Sequence, residues 1–115
     1  MSSDASDASD VLQRLQQTLL ERRAAPDSSS YVASLYARGV DVMCKKVAEE
    51  AAETIMAAKD GDVDHLVRET CDLWFHSLVL LTHCGADIDA VLQELTRREG
   101  VSGIVEKASR QHEAK

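Results

Sequence analysis

Apolar residues return every three or four positions through most of this chain, the spacing of helices with one covered face. Val11, Leu12, Leu15 and Leu19 keep that spacing and predict a first helix, with Asp10 as its N-cap and a stop before Pro26. Asp27-Ser28-Ser29-Ser30 is turn-forming, and Tyr31 to Arg38 then reads as a short helical or irregular piece ended by Gly39. From about Asp41 to Lys59 the chain is rich in Ala, Glu and Lys without Gly or Pro, so propensity alone favours a long helix. Asp60-Gly61-Asp62 supplies a stop and a fresh N-cap. A further helix follows from Val63 to His83, with Gly85 as its stop, and another from near Asp87 to Gly100 carries Ile88, Val91, Leu92 and Leu95. Residues 1–9 read as a disordered acidic lead, 10–110 as a single domain and 111–115 as a tail, with the stretch from Val101 onward partly helical at best.

The helix over 63–83 departs from the others. Leu66, Val67, Cys71, Leu73, Trp74, Phe75, Leu78, Val79, Leu80 and Leu81 cover nearly its whole circumference, which is the pattern of a helix buried on all sides. Short neighbours in one chain cannot easily surround it, so burial against a second copy is expected. The predicted fold is all-α, a small four-to-five-helix bundle assembling as an intertwined or tightly packed dimer or higher oligomer.

Composition narrows the function. At 115 residues and 44% hydrophobic content the chain suits one small domain, and one Pro, five Gly and four aromatic residues argue against a β-sandwich or barrel. A net charge of −7 argues against general nucleic-acid binding, which calls for clustered Lys and Arg. Cys44, Cys71 and Cys84 form no C-x-x-C pair, so neither a disulfide framework nor a cysteine zinc site is indicated, and Cys71 reads as a small buried hydrophobe. Met1 to Asp10 has neither a basic region nor an apolar run, and the most apolar stretch, Leu73 to Leu81, is too short to span a bilayer. No membrane association and a cytoplasmic location are expected.

Against that acidic background two spacings stand out. Glu49-Glu50-Ala51-Ala52-Glu53 lies on one predicted helix and Glu69-Thr70-Cys71-Asp72 on the next. Positions three apart fall roughly 60° apart on a helix and one turn along it, so each helix presents a pair of carboxylates to one side. An acidic helix face is ordinarily a solvated one. Here, however, Glu50 and Glu53 share a side with Val42, Met43, Val47 and Ala57, and Glu69 and Asp72 lie on a stripe running into His76, Val79 and Leu80. Inward-facing carboxylates need compensation: two like charges 4 Å apart cost on the order of 1 kcal/mol in water and about 4 kcal/mol at an effective dielectric of 20. An all-oxygen set of four acids suits a hard divalent cation, Mg²⁺ where phosphates complete the shell. A calcium loop fits poorly, because after Asp60, Asp62 and Asp64 the positions of its Gly and Glu are held by His65 and Cys71.

E-E-x-x-E followed by E-x-x-D resembles the motif of the MazG-like all-α nucleotide pyrophosphohydrolases. Ser30-Tyr31, Gly39, Lys45-Lys46-Val47-Ala48-Glu49-Glu50 and Ala57-Ala58-Lys59 look like the phosphoribosyl-ATP pyrophosphatase family within it. Asp72-Leu73-Trp74-Phe75-His76, Arg97-Arg98-Glu99-Gly100, Ser102-Gly103 and Glu106-Lys107-Ala108-Ser109-Arg110 extend the likeness over roughly 11–110. The resemblance implies hydrolysis of phosphoribosyl-ATP to phosphoribosyl-AMP and pyrophosphate, the second step of histidine biosynthesis. It also implies Mg²⁺ ligation by Glu50, Glu53, Glu69 and Asp72. The family pattern commonly has Gly or Ala where Ala48 stands, and often an aromatic residue where Arg68 stands.

Which acid serves the water stays open between Glu50 and Glu53. Glu49, toward the edge shared with Lys45, is either a supporting base or a salt-bridge partner. Lys45, Lys46, Arg97, Arg98, Lys107 and Arg110 are candidate phosphate clamps, against ordinary roles in helix-surface pairing and helix-end charge. His76 is expected to hydrogen-bond a ligand carboxylate. Two other readings compete: a house-cleaning pyrophosphohydrolase of non-standard nucleoside triphosphates with the same metal site, and a non-catalytic helical dimerisation module with an acidic face.

Overall fold

Ser30, Asp62 and Asp87 open three helices by one device. Each side chain accepts a hydrogen bond from the main-chain N–H three residues on, those of Ala33 at 3.0 Å, His65 at 3.0 Å and Ala90 at 2.9 Å. The computed structural model describes residues 10–25, 30–100 and 110, and over them the chain forms α1 (Val11–Ala24), α2 (Tyr31–Arg38), α3 (Val40–Asp60), α4 (Val63–His83) and α5 (Ile88–Arg98). No strand occurs among the described residues, and the all-α expectation holds. The expectations for the acidic lead, the Pro26 stop, the 27–29 turn and the tail fall outside them, as does that for Lys107.

Asp10 is a correction. It occupies the N-cap of α1, but its side chain makes no capping bond. Its backbone is already helical (φ −87°, ψ −6°), whereas a capping side chain reaches back over the first turn from an extended backbone. The carbonyl of Asp10 instead accepts from the Arg14 N–H.

Between α2 and α3 there is one residue. Gly39 has φ 96° and ψ 176°, a region essentially closed to residues with a Cβ, and this lets the chain leave α2 and begin α3 without an intervening loop. Its N–H closes α2 on the Leu35 carbonyl, and its own carbonyl accepts from Met43 in α3.

The core lies where α1, α2, α3 and α4 meet. Leu19, Val32, Leu35, Met43 and Val79 are buried there, with Leu15, Tyr36, Val42, Phe75, Leu78 and Leu80 packed around them. The two long helices, joined by Gly61-Asp62, form the most extensive interface in the chain. At the far end α5 leans on α1, with the Ile88 N–H donating to the Gln16 side chain and Gln13 Nε2 bonding Asp89 at 2.7 Å. Among the described residues no single helix is long and apolar enough to cross a membrane. Among the described residues one face of α4 is uncovered, with Val63, Val67 and Trp74 more than half exposed, so these residues alone do not reach the all-round burial predicted for that helix.

Candidate active site

Met43, Glu50 and Ala57 are the buried residues of α3, seven apart in turn. At two helical turns per step they form one seam, so Glu50 is carried into the α3–α4 interface by the apolar residues above and below it and is only 8% exposed. On α4 the stripe Glu69, Asp72, His76, Val79 follows three- and four-residue steps, and its lower half, His76 and Val79, is buried. Packing the two seams together brings an oxygen from each of Glu50, Glu69 and Asp72 within 4.8 Å of one another.

Among the described residues, two oxygens of this group are left without a partner. Glu50 Oε2 and Glu69 Oε2 are both buried and without a hydrogen-bond partner. Burial, then the approach of Glu69 and the charges of Glu53 and Asp72, push the Glu50 carboxyl up to about 7. Glu53, exposed, is raised above the ordinary range chiefly by a hydrogen bond shared with Glu69 and by that neighbour's charge. Glu69 moves the other way, held low by hydrogen bonds with Glu53 and Glu50 and by the His65 imidazole, whose Nε2 lies 3.2 Å from its Oε1. Like-charged carboxyls at this distance share protons unequally, which pushes the buried Glu50 toward its protonated form and Glu69 toward its ionised one.

The residues fit a hard divalent cation. The donors are all oxygen, and two of them are buried and unpartnered, so a cation can meet them without displacing an existing hydrogen bond. Glu53 stands outside the converging three, one turn along from Glu50 on the same helix.

A family model described as phosphoribosyl-ATP pyrophosphohydrolase matches residues 12–99. The chain belongs to that family. A phosphoribosyl-ATP pyrophosphatase from Aromatoleum aromaticum is 67% identical over 101 residues, covering 88% of this chain and 94% of the relative. One from Azoarcus sp. is 64% identical over 103 residues, covering 90% and 96%. Another from Chromobacterium violaceum is 60% identical over 101 residues, covering 88% and 94%. The segment matched to the phosphoribosyl-ATP pyrophosphohydrolase family includes every carboxylate of the cluster, whereas Lys107 and Arg110 lie beyond it. Arg110 is exposed.

The basic candidates divide. Lys45 and Lys46 both reach Glu49, at 3.9 and 3.5 Å, so Glu49 is a salt-bridge partner. Lys46 stays close to the acids: burial alone would lower its titration, but Tyr31, Glu49 and Glu50 nearby raise it, and its charge in turn bears on Glu53. Arg97 and Arg98 are brought not to the acids but to Glu94 of their own helix, with bonds of 2.7 and 2.8 Å that hold Glu94 down to about 2.

Two expectations for α4 are corrected. His76 does not bond a carboxylate; its Nδ1 lies 2.8 Å from the main-chain carbonyl of Asp72 and its Nε2 2.8 Å from the Tyr31 hydroxyl. A neighbour four residues along is in reach of that carbonyl, while the Asp72 side chain leans toward α3. The histidine that does bond a carboxylate of the cluster is His65, an i,i+4 partner of Glu69 visible in the spacing alone. Cys71 is exposed rather than buried, because facing Glu69 and Asp72 toward α3 turns the residue between them onto the uncovered side with Val67 and Trp74.

Proposed function

We propose that this chain hydrolyses phosphoribosyl-ATP to phosphoribosyl-AMP and pyrophosphate, the second step of histidine biosynthesis, with Mg²⁺ held by Glu50, Glu69 and Asp72. The observation that carries the reading is the convergence of those three carboxylates, two of them with buried unpartnered oxygens, in a member of this family. Water adds across the bond between the α and β phosphoryl groups. Mg²⁺ in this position would neutralise charge on the phosphate oxygens and lower the pKa of a coordinated water.

The chain's own groups do the rest. Glu53 is outside the converging set and solvent-facing, which suits it to orient the attacking water and take its proton. Lys46, at the rim beside Glu49, is placed to meet a phosphate that its acidic surroundings would otherwise repel. Glu49 pairs with that lysine at 3.5 Å.

Purified protein with Mg²⁺ is expected to release pyrophosphate from phosphoribosyl-ATP with a kcat/KM at least about a hundredfold above that for any member of a panel of standard and non-standard deoxynucleotides, the kind of margin that polar recognition of a substrate supports. Preference for a panel member would replace this reading with a house-cleaning one.

The working unit we infer is at least a dimer, in the cytoplasm. Its support is the open apolar side of α4, where Trp74 is 60% exposed beside a cleft of about 500 Å³ lined by Leu12, Leu78, Leu81, Val91, Leu92 and Leu95. Trp74→Glu is expected to weaken self-association by at least about tenfold in sedimentation velocity, given roughly 1.5–3 kcal/mol for burying a large apolar side chain. Wild-type protein sedimenting as a monomer at all concentrations would overturn the inference.

A further inference from the structure

Tyr31 opens α2 directly after the Ser30 cap and is half exposed, yet its ring and hydroxyl are both committed. The ring stacks on Phe75, with centroids 6.5 Å apart, and meets His76 edge-on at 5.8 Å. The hydroxyl lies 2.8 Å from His76 Nε2. The partner on the other side of that imidazole decides the direction of the bond. His76 Nδ1 faces the Asp72 carbonyl at 2.8 Å, and a carbonyl only accepts, so Nδ1 carries the hydrogen. In the neutral ring Nε2 is then an acceptor, and the Tyr31 O–H donates to it.

The result is a chain of two hydrogen bonds from α2, through a buried side chain, to the backbone of a residue in the carboxylate cluster. Asp72 stands in a group whose members repel one another, and its own side chain is exposed. Packing around the Asp72 side chain therefore does little to fix its direction, and its turn of α4 is the place where the neighbouring side chains can. We propose that Tyr31 and His76 are positioning residues that fix the Asp72 turn, so that the three carboxylates stay in register for a divalent cation. This inference rests on the metal site proposed above.

Groups that orient a ligand residue commonly carry ten- to a hundredfold in metal affinity. Tyr31→Phe keeps the ring stack and removes one hydroxyl. His76→Asn keeps a donor near the Nδ1 position and loses the acceptor for Tyr31. Mn²⁺ affinity, read by electron paramagnetic resonance on the full chain without substrate, is expected to fall about tenfold in Tyr31→Phe. The double variant should be no weaker than His76→Asn alone, because both substitutions break the same chain. Equal Mn²⁺ affinity in Tyr31→Phe and wild type overturns the proposal, even if the variant melts earlier, since a purely structural pair would lower stability and leave the affinity unchanged. Strictly additive losses overturn it as well. If His76→Asn does not fold, the Tyr31→Phe comparison decides alone. Wild-type protein that fails to bind Mn²⁺ would remove the metal site itself, an outcome distinct from intact binding that ignores Tyr31.

Discussion

Asp72→Asn is expected to lower pyrophosphate release by about a thousandfold, or roughly 4 kcal/mol of transition-state stabilisation, which is within what a site for a divalent cation supplies to phosphoryl chemistry. The same substitution should leave the fold intact. Asp72 is exposed, and removing one charge from a repelling group of three relieves the metal-free protein rather than straining it. Activity and stability therefore move in opposite directions: the variant melts at the wild-type temperature or slightly above it, and the rise in melting temperature that Mg²⁺ gives the wild type is lost. Glu53→Gln separates binding from proton transfer. It should retain most of the Mg²⁺ response and lose kcat, since Glu53 is outside the converging oxygens. Glu49→Gln, which releases two lysines and no member of the cluster, should change kcat by less than about threefold, the effect of losing exposed ion pairs. An Asp72→Asn protein that keeps full activity and full Mg²⁺ stabilisation would return the chain to the class of acidic dimerisation modules.

How far these residues could be found without the fold depends on the range of the interaction. The helix over 63–83 is found at the predicted residues, because Asp62 as an N-cap and the glycine at 85 are signals within a turn of each boundary. The helix expected over about 41–59 spans 40–60, extended at its start by Gly39, whose backbone permits a helix to begin immediately after another ends. Carboxylate pairing was legible for the same reason: E-x-x-E and E-x-x-D are local spacings, and the apolar residues seven away from Glu50 point it inward. His65–Glu69 was legible too, as an i,i+4 pair. Tyr31–His76 was not, since its partners are 45 residues apart on helices whose relative rotation no periodicity specifies. Nor could spacing foretell that Arg97 and Arg98 would be spent on Glu94, for a basic pair at a helix end serves a ligand, a helix dipole or its own neighbour equally well until the surrounding helices are placed. The error over Cys71 has a further cause. Apolar character all round α4 predicts burial, but among the described residues no helix lies against the side bearing Cys71, Val67 and Trp74.

Without metal, the protein is expected to lose stability as the pH rises from about 4.5 to about 7, opposite to the usual behaviour of a carboxylate in a salt bridge. The sign follows from Glu50. In the unfolded chain it titrates near the ordinary 4.5, in the folded chain near 7. Below 4.5 both states hold the proton and the stabilisation is fully present. Between the two values the unfolded chain has released its proton while the folded one keeps it, so each pH unit favours unfolding, and above 7 the loss is complete. At about 1.4 kcal/mol per pH unit the difference is on the order of 3 kcal/mol, or roughly 10 °C in melting temperature for a chain of this size. Glu94 works in the opposite direction and in a separate window: its carboxyl, held down to about 2 by Arg97 and Arg98, contributes stability above the ordinary carboxylate range that disappears only as the pH falls through the acid limb. Melting curves in EDTA across this range should therefore show a fall toward neutrality in wild-type protein and a shallower one in Glu50→Gln, which is neutral at every pH and leaves only the raised Glu53 carboxyl to contribute. Mg²⁺ should cancel the fall, because a cation between Glu50, Glu69 and Asp72 replaces the proton as the compensating charge. Its stabilising effect is accordingly expected to be larger at about pH 8 than at about pH 5.5, where it competes with that proton. A flat wild-type profile in EDTA, or an unchanged slope in Glu50→Gln, would place the burden of the buried charge somewhere other than Glu50.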